Sequence, residues 1–151
     1  PYTTLFRSKM GMKALFTPSL LTGDEMIDAH HKELFKRAND LFESIENGDS
    51  TEKVQETLGF LADYTTYHFS EEEKLMDEVQ FPKTDAHKEM HAALVEDVKN
   101  LAVKLAAEGP TKEFEEQVNK KVVEWLYTHI KVNDQELAEY KNVRSQMDNL
   151  Q

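Results

Sequence analysis

Four amphipathic segments, separated by three short clusters of turn-forming residues, constrain the fold of this chain most strongly. The clusters lie at residues 47–50, 81–82 and 109–110 and contain glycine, asparagine or proline, which favour turns and interrupt helices. Between them, inward positions recur in steps of three and four, the spacing of a helix that buries one face. In the first segment these positions are Ile27, His31, Leu34, Ala38, Leu41 and Ile45. Because short connections join antiparallel neighbours, we predict an all-α fold, an up-down-up-down antiparallel four-helix bundle with an N-terminal arm.

Length and composition indicate one domain that binds neither nucleic acid nor membrane. A chain of 151 residues has room for a single core. Its net charge of −11 repels phosphates and anionic lipid, and no apolar run reaches the roughly 20 residues that span a bilayer. There is no cysteine, so a metal would be held by nitrogen and oxygen, and a reducing compartment is the default. We therefore expect a soluble, cytoplasmic protein.

The beginning of the chain does not share the periodic pattern. Residues 1–12 are predicted to be a non-native or disordered lead-in, with Met10 or Met12 as the true start. Residues 13–151 are then the bundle domain. The sequence shows no strand pattern.

Histidines and carboxylates occupy the inward stripes of all four predicted helices. His68 and Glu72 lie four residues apart, so they project from one face of a helix a single turn apart. The full set is His31, His68, Glu72, His87, His91, His129 and Asp134. With the helices antiparallel and each residue adding about 1.5 Å, these segments meet at one end of the bundle. The set is sufficient for more than one metal ion.

A buried imidazole is more often a hydrogen-bonded core residue than a metal ligand when it occurs singly. Seven polar groups in one layer are different, because each unmatched buried donor or acceptor costs about 1–3 kcal/mol. Glu72 and Asp134 would also be buried anions, for which a cation is the natural partner. We expect the flanking Glu71 and Glu73 to be surface carboxylates, and His30 to be a surface residue or a support for the ligands.

Asp134 does not fit a regular helix. It lies five residues after His129 and therefore about 140° further around an ideal α-helix. We predict a π-type turn near residues 130–135 that brings the two side chains to one face, since such turns occur at functional sites.

The residues match the pattern of a known family. Segments 27–35, 68–72, 87–91 and 125–134 together resemble hemerythrin, specifically the single-domain bacterial form, and the resemblance runs from about residue 15 to residue 140. It implies two iron ions joined by an oxo or hydroxo bridge, with one open position that takes dioxygen. The implied ligands are His87, His91 and His129 for one iron, His31 and His68 for the other, and Glu72 and Asp134 as bridges. The implied oxygen pocket consists of Leu34, Phe69, Trp125, Leu126 and Ile130.

By this resemblance the chain is a non-enzymatic oxygen-binding protein for transport, storage or delivery, with dioxygen as its partner. One departure is that bacterial members usually have a tryptophan in the segment 16–20, which here has none; it concerns the packing of the N-terminal arm and not the metal site. Two alternatives stay open. A di-iron site could act as an enzyme on peroxide, nitric oxide or oxygen, or as a sensor that signals to a separate protein. Nitrogen and oxygen ligands alone also leave manganese, cobalt and zinc possible.

Overall fold

The structure is a computed structural model that describes residues 5–8 and 11–150. Three long helices, α1 (Glu25–Glu46), α2 (Thr51–Glu78) and α3 (Thr84–Glu108), follow a 3₁₀ turn at Pro18–Leu20. The fourth helix of the bundle is built from α4 (Lys112–Val118), α5 (Glu124–His129) and α6 (Gln135–Asn149), joined by π turns at Asn119–Val123 and Ile130–Asp134. The predicted all-α four-helix bundle is confirmed.

Local chemistry explains where the helices begin and end. Asp24 caps α1 by accepting the Ile27 N–H, and Ser50 caps α2 by accepting the Lys53 N–H. After α1, Gly48 has a φ of 72°, a left-handed conformation that favours glycine. These starts and stops lie at the predicted breaks, and they leave connections of a few residues that fold each helix back on its neighbour.

The structure contains two short strands near the N-terminus, where the sequence showed no strand pattern. β1 (Leu5–Ser8) and β2 (Gly11–Ala14) pair antiparallel, and β2 packs on α1. Asn39 holds β2 there, because its side chain accepts the Ala14 N–H at 2.6 Å and donates to the Ala14 carbonyl at 2.9 Å. Met12 is buried in the core. The lead-in proposed for residues 1–12 thus overlaps the hairpin, and residues 1–4 and 9–10 lie outside the described residues.

The apolar core consists of two unequal clusters with a polar layer between them. The main cluster includes Leu34, Phe42 and Phe114. The smaller cluster, at one end of the bundle, contains Ile27, Leu75, Met76, Phe81, Leu137 and Ala138. On α1, His31 falls between Ile27 of the small cluster and Leu34 of the large one, so it is covered by apolar side chains on both sides. Among the described residues, no helix is both long and apolar enough to cross a membrane.

Candidate metal centre

The seven predicted site residues come together in the polar layer between the two apolar clusters. Each is almost completely buried, with at most 4% of its surface exposed. Among the described residues their ligand atoms form two groups, within each of which the atoms lie no more than 4.8 Å apart. The larger group is Glu72, His87, His91, His129 and Asp134; the smaller is His31, His68, Glu72 and Asp134. Glu72 and Asp134 belong to both.

Glu72 directs its two carboxylate oxygens to different histidine groups. Its Oε1 lies 2.8 Å from Nε2 of His87 and 3.2 Å from Nε2 of His91. Its Oε2 faces the smaller group, 3.1 Å from Nε2 of His68. A carboxylate has lone pairs on both oxygens, so this orientation allows each oxygen to serve a separate cation.

Asp134 has the same arrangement. Its Oδ1 lies 3.1 Å from Nε2 of His87 and 3.3 Å from Nε2 of His129, both in the larger group. Its Oδ2 lies 2.8 Å from Nε2 of His31, in the smaller group. Two carboxylates, one from α2 and one from the fourth helix, therefore link the two histidine groups in parallel.

The predicted π-type turn before Asp134 is confirmed. In Ile130–Asp134 the backbone is π-helical, and the Gln135 N–H donates to the Ile130 carbonyl five residues earlier. The wider turn absorbs one additional residue, so His129 and Asp134 face the same side of the helix. The second π turn, at Asn119–Val123, has the same five-residue bond from Glu124 to Asn119 and was not predicted.

Several buried nitrogen and oxygen atoms of these site residues have no hydrogen-bond partner among the described residues. They are His31 Nδ1, His31 Nε2, Glu72 Oε2, His91 Nε2 and Asp134 Oδ1. For His31, Nε2 is 2.8 Å from Asp134 Oδ2 without hydrogen-bond alignment. Buried polar atoms are nearly always paired, and nitrogen and oxygen lone pairs that converge on a shared point are typical of cation ligands. The donor set therefore fits a metal ion.

Electrostatics in the layer keep the carboxylates ionised although they are buried. Burial and the nearby Asp134 raise the pKa of Glu72, but the imidazoles of His68, His87 and His91, each within 3.2 Å of a carboxylate oxygen, outweigh both and lower it to about 2. Burial raises the pKa of Asp134, but its close contacts with the imidazoles of His129, His31 and His87 outweigh burial and hold the pKa well below its usual range. Burial lowers the pKa of His87, and its bonds to Asp134 and Glu72 more than reverse this, raising it to about 9.

Two polar residues outside the seven lie within hydrogen-bond distance of them. Glu73 was expected to be a surface carboxylate; it is partly exposed, but its Oε2 lies 2.8 Å from Nδ1 of His91, so it also contacts the site. His30 is half-buried and outside both ligand groups, as expected, and its Nδ1 lies 2.9 Å from Nδ1 of His68. Glu71 pairs with Lys74 at the surface, as expected. Glu73 was missed because sequence spacing does not reveal which helix faces it.

The five predicted pocket residues lie in or against the main apolar cluster, and two of them contact candidate ligands. Leu34, Phe69, Leu126 and Ile130 belong to the main cluster, and Trp125 packs against it. Two of them cover candidate ligands with their rings. Phe69 stacks on His91 with ring centroids 3.8 Å apart, and Trp125 stacks on His129 at 4.4 Å. Each of these stacked rings covers one face of an imidazole and restricts its orientation.

Fold and site together define a class, namely a helical bundle whose interior carries histidine and carboxylate ligands for metal. Residues 22–140 match the family model described as hemerythrin HHE cation binding domain. This chain belongs to the hemerythrin family, as its resemblance predicted. It is 30% identical over 117 residues to bacteriohemerythrin of Clostridium acetobutylicum, covering 76% of this chain and 90% of the relative. It is 33% identical over 110 residues to myohemerythrin of Theromyzon tessulatum, covering 73% of this chain and 78% of the relative.

Proposed function

We propose that this chain holds two iron ions and binds dioxygen reversibly, as a carrier or store rather than an enzyme. The observation that carries the proposal is the inequality of the two ligand groups, which have five and four members and share both carboxylates. With one further bridging oxo or hydroxo group, five protein ligands would complete six positions around one metal. Four would leave the other metal one position short, and a small ligand could enter there.

In this proposal His87, His91 and His129 form the three-histidine position, and His31 and His68 form the two-histidine position. Glu72 and Asp134 bridge them, each with one oxygen toward each position. Imidazole and carboxylate suit iron, and also other divalent metals. The names of the relatives, bacteriohemerythrin and myohemerythrin, support iron over the alternatives.

When bound, two ferrous ions would be able to supply one electron each to dioxygen. The protein's part is to hold the ligands fixed and to keep the layer dry. Leu34 and Ile130 are completely buried, and the rings of Phe69 and Trp125 each cover one face of a candidate ligand, His91 and His129 respectively. Exclusion of water favours release of dioxygen unchanged, because water and protons would promote one-way oxidation of the metal.

A cycle of reduction and oxygenation tests the proposal. The iron-loaded protein is reduced without air, exposed to dioxygen and then evacuated while its visible spectrum is recorded. A coloured state that forms with dioxygen, disappears under vacuum and returns over several cycles supports the proposal. The matched control is Glu71→Gln, which removes the carboxylate next to Glu72 in the chain. Glu71 pairs with Lys74 and, among the described residues, belongs to neither ligand group, so this variant should cycle like the parent. Immediate, irreversible oxidation with turnover of added peroxide or nitric oxide would instead favour an enzyme.

A further inference from the structure

The two histidine groups differ in the residue that contacts the Nδ1 atom of a candidate ligand, on the side of the ring away from the layer. In the three-histidine group, Nδ1 of His91 faces a carboxylate, Glu73 Oε2, at 2.8 Å. In the two-histidine group, Nδ1 of His68 faces another imidazole, His30 Nδ1, at 2.9 Å. The hydrogen-bond acceptor for His91 is thus a carboxylate, whereas the acceptor for His68 is an imidazole, which accepts only in its neutral form.

Chemistry fixes the direction of the first contact. An ionised carboxylate can only accept, so Nδ1 of His91 carries the proton and donates it to Glu73. The other nitrogen, Nε2, is then free of a proton and presents its lone pair to the layer, 3.2 Å from Glu72 Oε1. A carboxylate behind a histidine also makes the ring a stronger electron donor, and removing such a partner typically costs tenfold to a hundredfold in metal affinity.

The ring of His91 is held in this orientation from a second direction. Phe69 lies parallel to it, with an interplanar angle of 4°. Stacking allows the ring to slide in its own plane but opposes tilting, and the hydrogen bond to Glu73 then fixes its rotation. Glu73 reaches His91 from α2 and Phe69 lies on the same helix, so α2 both places and activates a ligand that α3 contributes.

We propose that Glu73 is a positioning residue that makes the three-histidine position the tighter of the two metal positions. This inference rests on the proposed function, since it requires two metal ions. It assigns Glu73 a role that depends on its charge and on its contact with His91. The two-histidine position has only the imidazole of His30 behind His68, so it is the position that fills second and loses its metal first.

Stepwise titration with cobalt(II) in the absence of air tests the proposed role of Glu73, because bound cobalt(II) absorbs visible light and each binding step can be followed. The parent protein should take up two ions per chain with unequal dissociation constants. Glu73→Gln keeps the size and an acceptor but removes the charge, and we expect it to weaken the tighter step roughly tenfold to a hundredfold and leave the weaker step unchanged. Glu73→Asp keeps the charge but shortens the side chain, and should weaken the same step. The matched control Glu71→Gln should change neither step.

Proton NMR of the cobalt-loaded protein gives a second reading. The exchangeable Nδ1 proton of His91 should have a resonance that moves in Glu73→Gln and not in Glu71→Gln. A parent protein that binds fewer than two cobalt ions would contradict the proposed function. A parent that binds two, with Glu73→Gln unchanged or equally weakened in both steps, would overturn only the role of Glu73. Metal-free melting curves of the variants show whether each folds, and Glu73 is exposed enough for glutamine to be tolerated.

Discussion

Replacing Asp134 with asparagine is expected to remove most of the stability that metal gives this protein, separately from the stability that the metal-free protein loses with the close contacts between Asp134 and three histidines. Asp134 belongs to both ligand groups, so both metal positions lose an anionic ligand at once. Asparagine has nearly the same volume and leaves no cavity. In the parent protein, the negative charge of Asp134 repels that of Glu72 and so raises the pKa of Glu72. The substitution removes this repulsion from the metal-free protein.

The size of the effect follows from linkage. A metal at a free concentration about 1,000 times its dissociation constant stabilises the folded state by about 4.1 kcal/mol. For a domain of this length, about 1 kcal/mol shifts the melting temperature by roughly 2–4 °C. Each tightly bound ion should therefore raise the melting temperature by roughly 8–16 °C. The Asp134→Asn protein should show only a small part of this difference.

Calorimetric melting of metal-free and metal-loaded samples, with metal content measured on each, provides the assay. The matched control is Asp28→Asn, another buried aspartate, which accepts hydrogen bonds from Thr22 and Gly23 away from the site. It should lower the melting temperature of both forms equally and leave the difference between them intact. An Asp134→Asn protein that keeps the full difference would refute the bridging role. One that loses stability mainly without metal would show that Asp134 is a structural residue.

Three further changes test other parts of the molecule. Leu34→Ala should cost about 2–5 kcal/mol in urea unfolding, since Leu34 is completely buried, and should shorten the time over which the loaded protein cycles with dioxygen; unchanged cycling would argue against a water-excluding wall. Asn39→Ala should free β2 from α1 and speed proteolysis near residues 11–14, because Asn39 bonds both backbone groups of Ala14; an unchanged digestion pattern would contradict this. In the metal-free protein, the raised pKa of His87 contributes stability that is complete below about 6.5 and is lost as pH rises through about 9. The lowered pKa of Glu72 contributes stability that is present above about 4.5 and is lost as pH falls toward about 2. Urea titrations across pH should show both limbs, and His87→Asn should flatten the alkaline one.

The sequence predicted the bundle and the seven clustered residues because both depend on helical periodicity. His68 and Glu72 share a face of α2 whatever lies opposite, and the breaks near residues 47–50 and 109–110 set the helices antiparallel. Helical periodicity does not predict contacts that depend on how two helices are rotated relative to each other. Glu73 sits beside Glu72 in the chain and looked like a surface residue, yet α3 brings His91 within 2.8 Å of it. The hold of Asn39 on β2 is a side chain to backbone contact, which leaves no periodic signal in the sequence.

The two π turns of the fourth helix have a sequence signal of their own. Seven buried positions follow one another in steps of four, namely Phe114, Val118, Val122, Leu126, Ile130, Asp134 and Ala138. In a regular α-helix each step of four overshoots a full turn by about 40°, so six steps would carry the stripe about 240° around the axis. Each π turn holds one additional residue and absorbs about 100° of this drift. Two π turns reduce the drift to about 40°, so Phe114 in the apolar core and Asp134 in the polar layer can face the same interior. A four-residue repeat of buried positions over this length is therefore typical of a helix with such turns, and the π turn at Ile130–Asp134 brings Asp134 to the histidines.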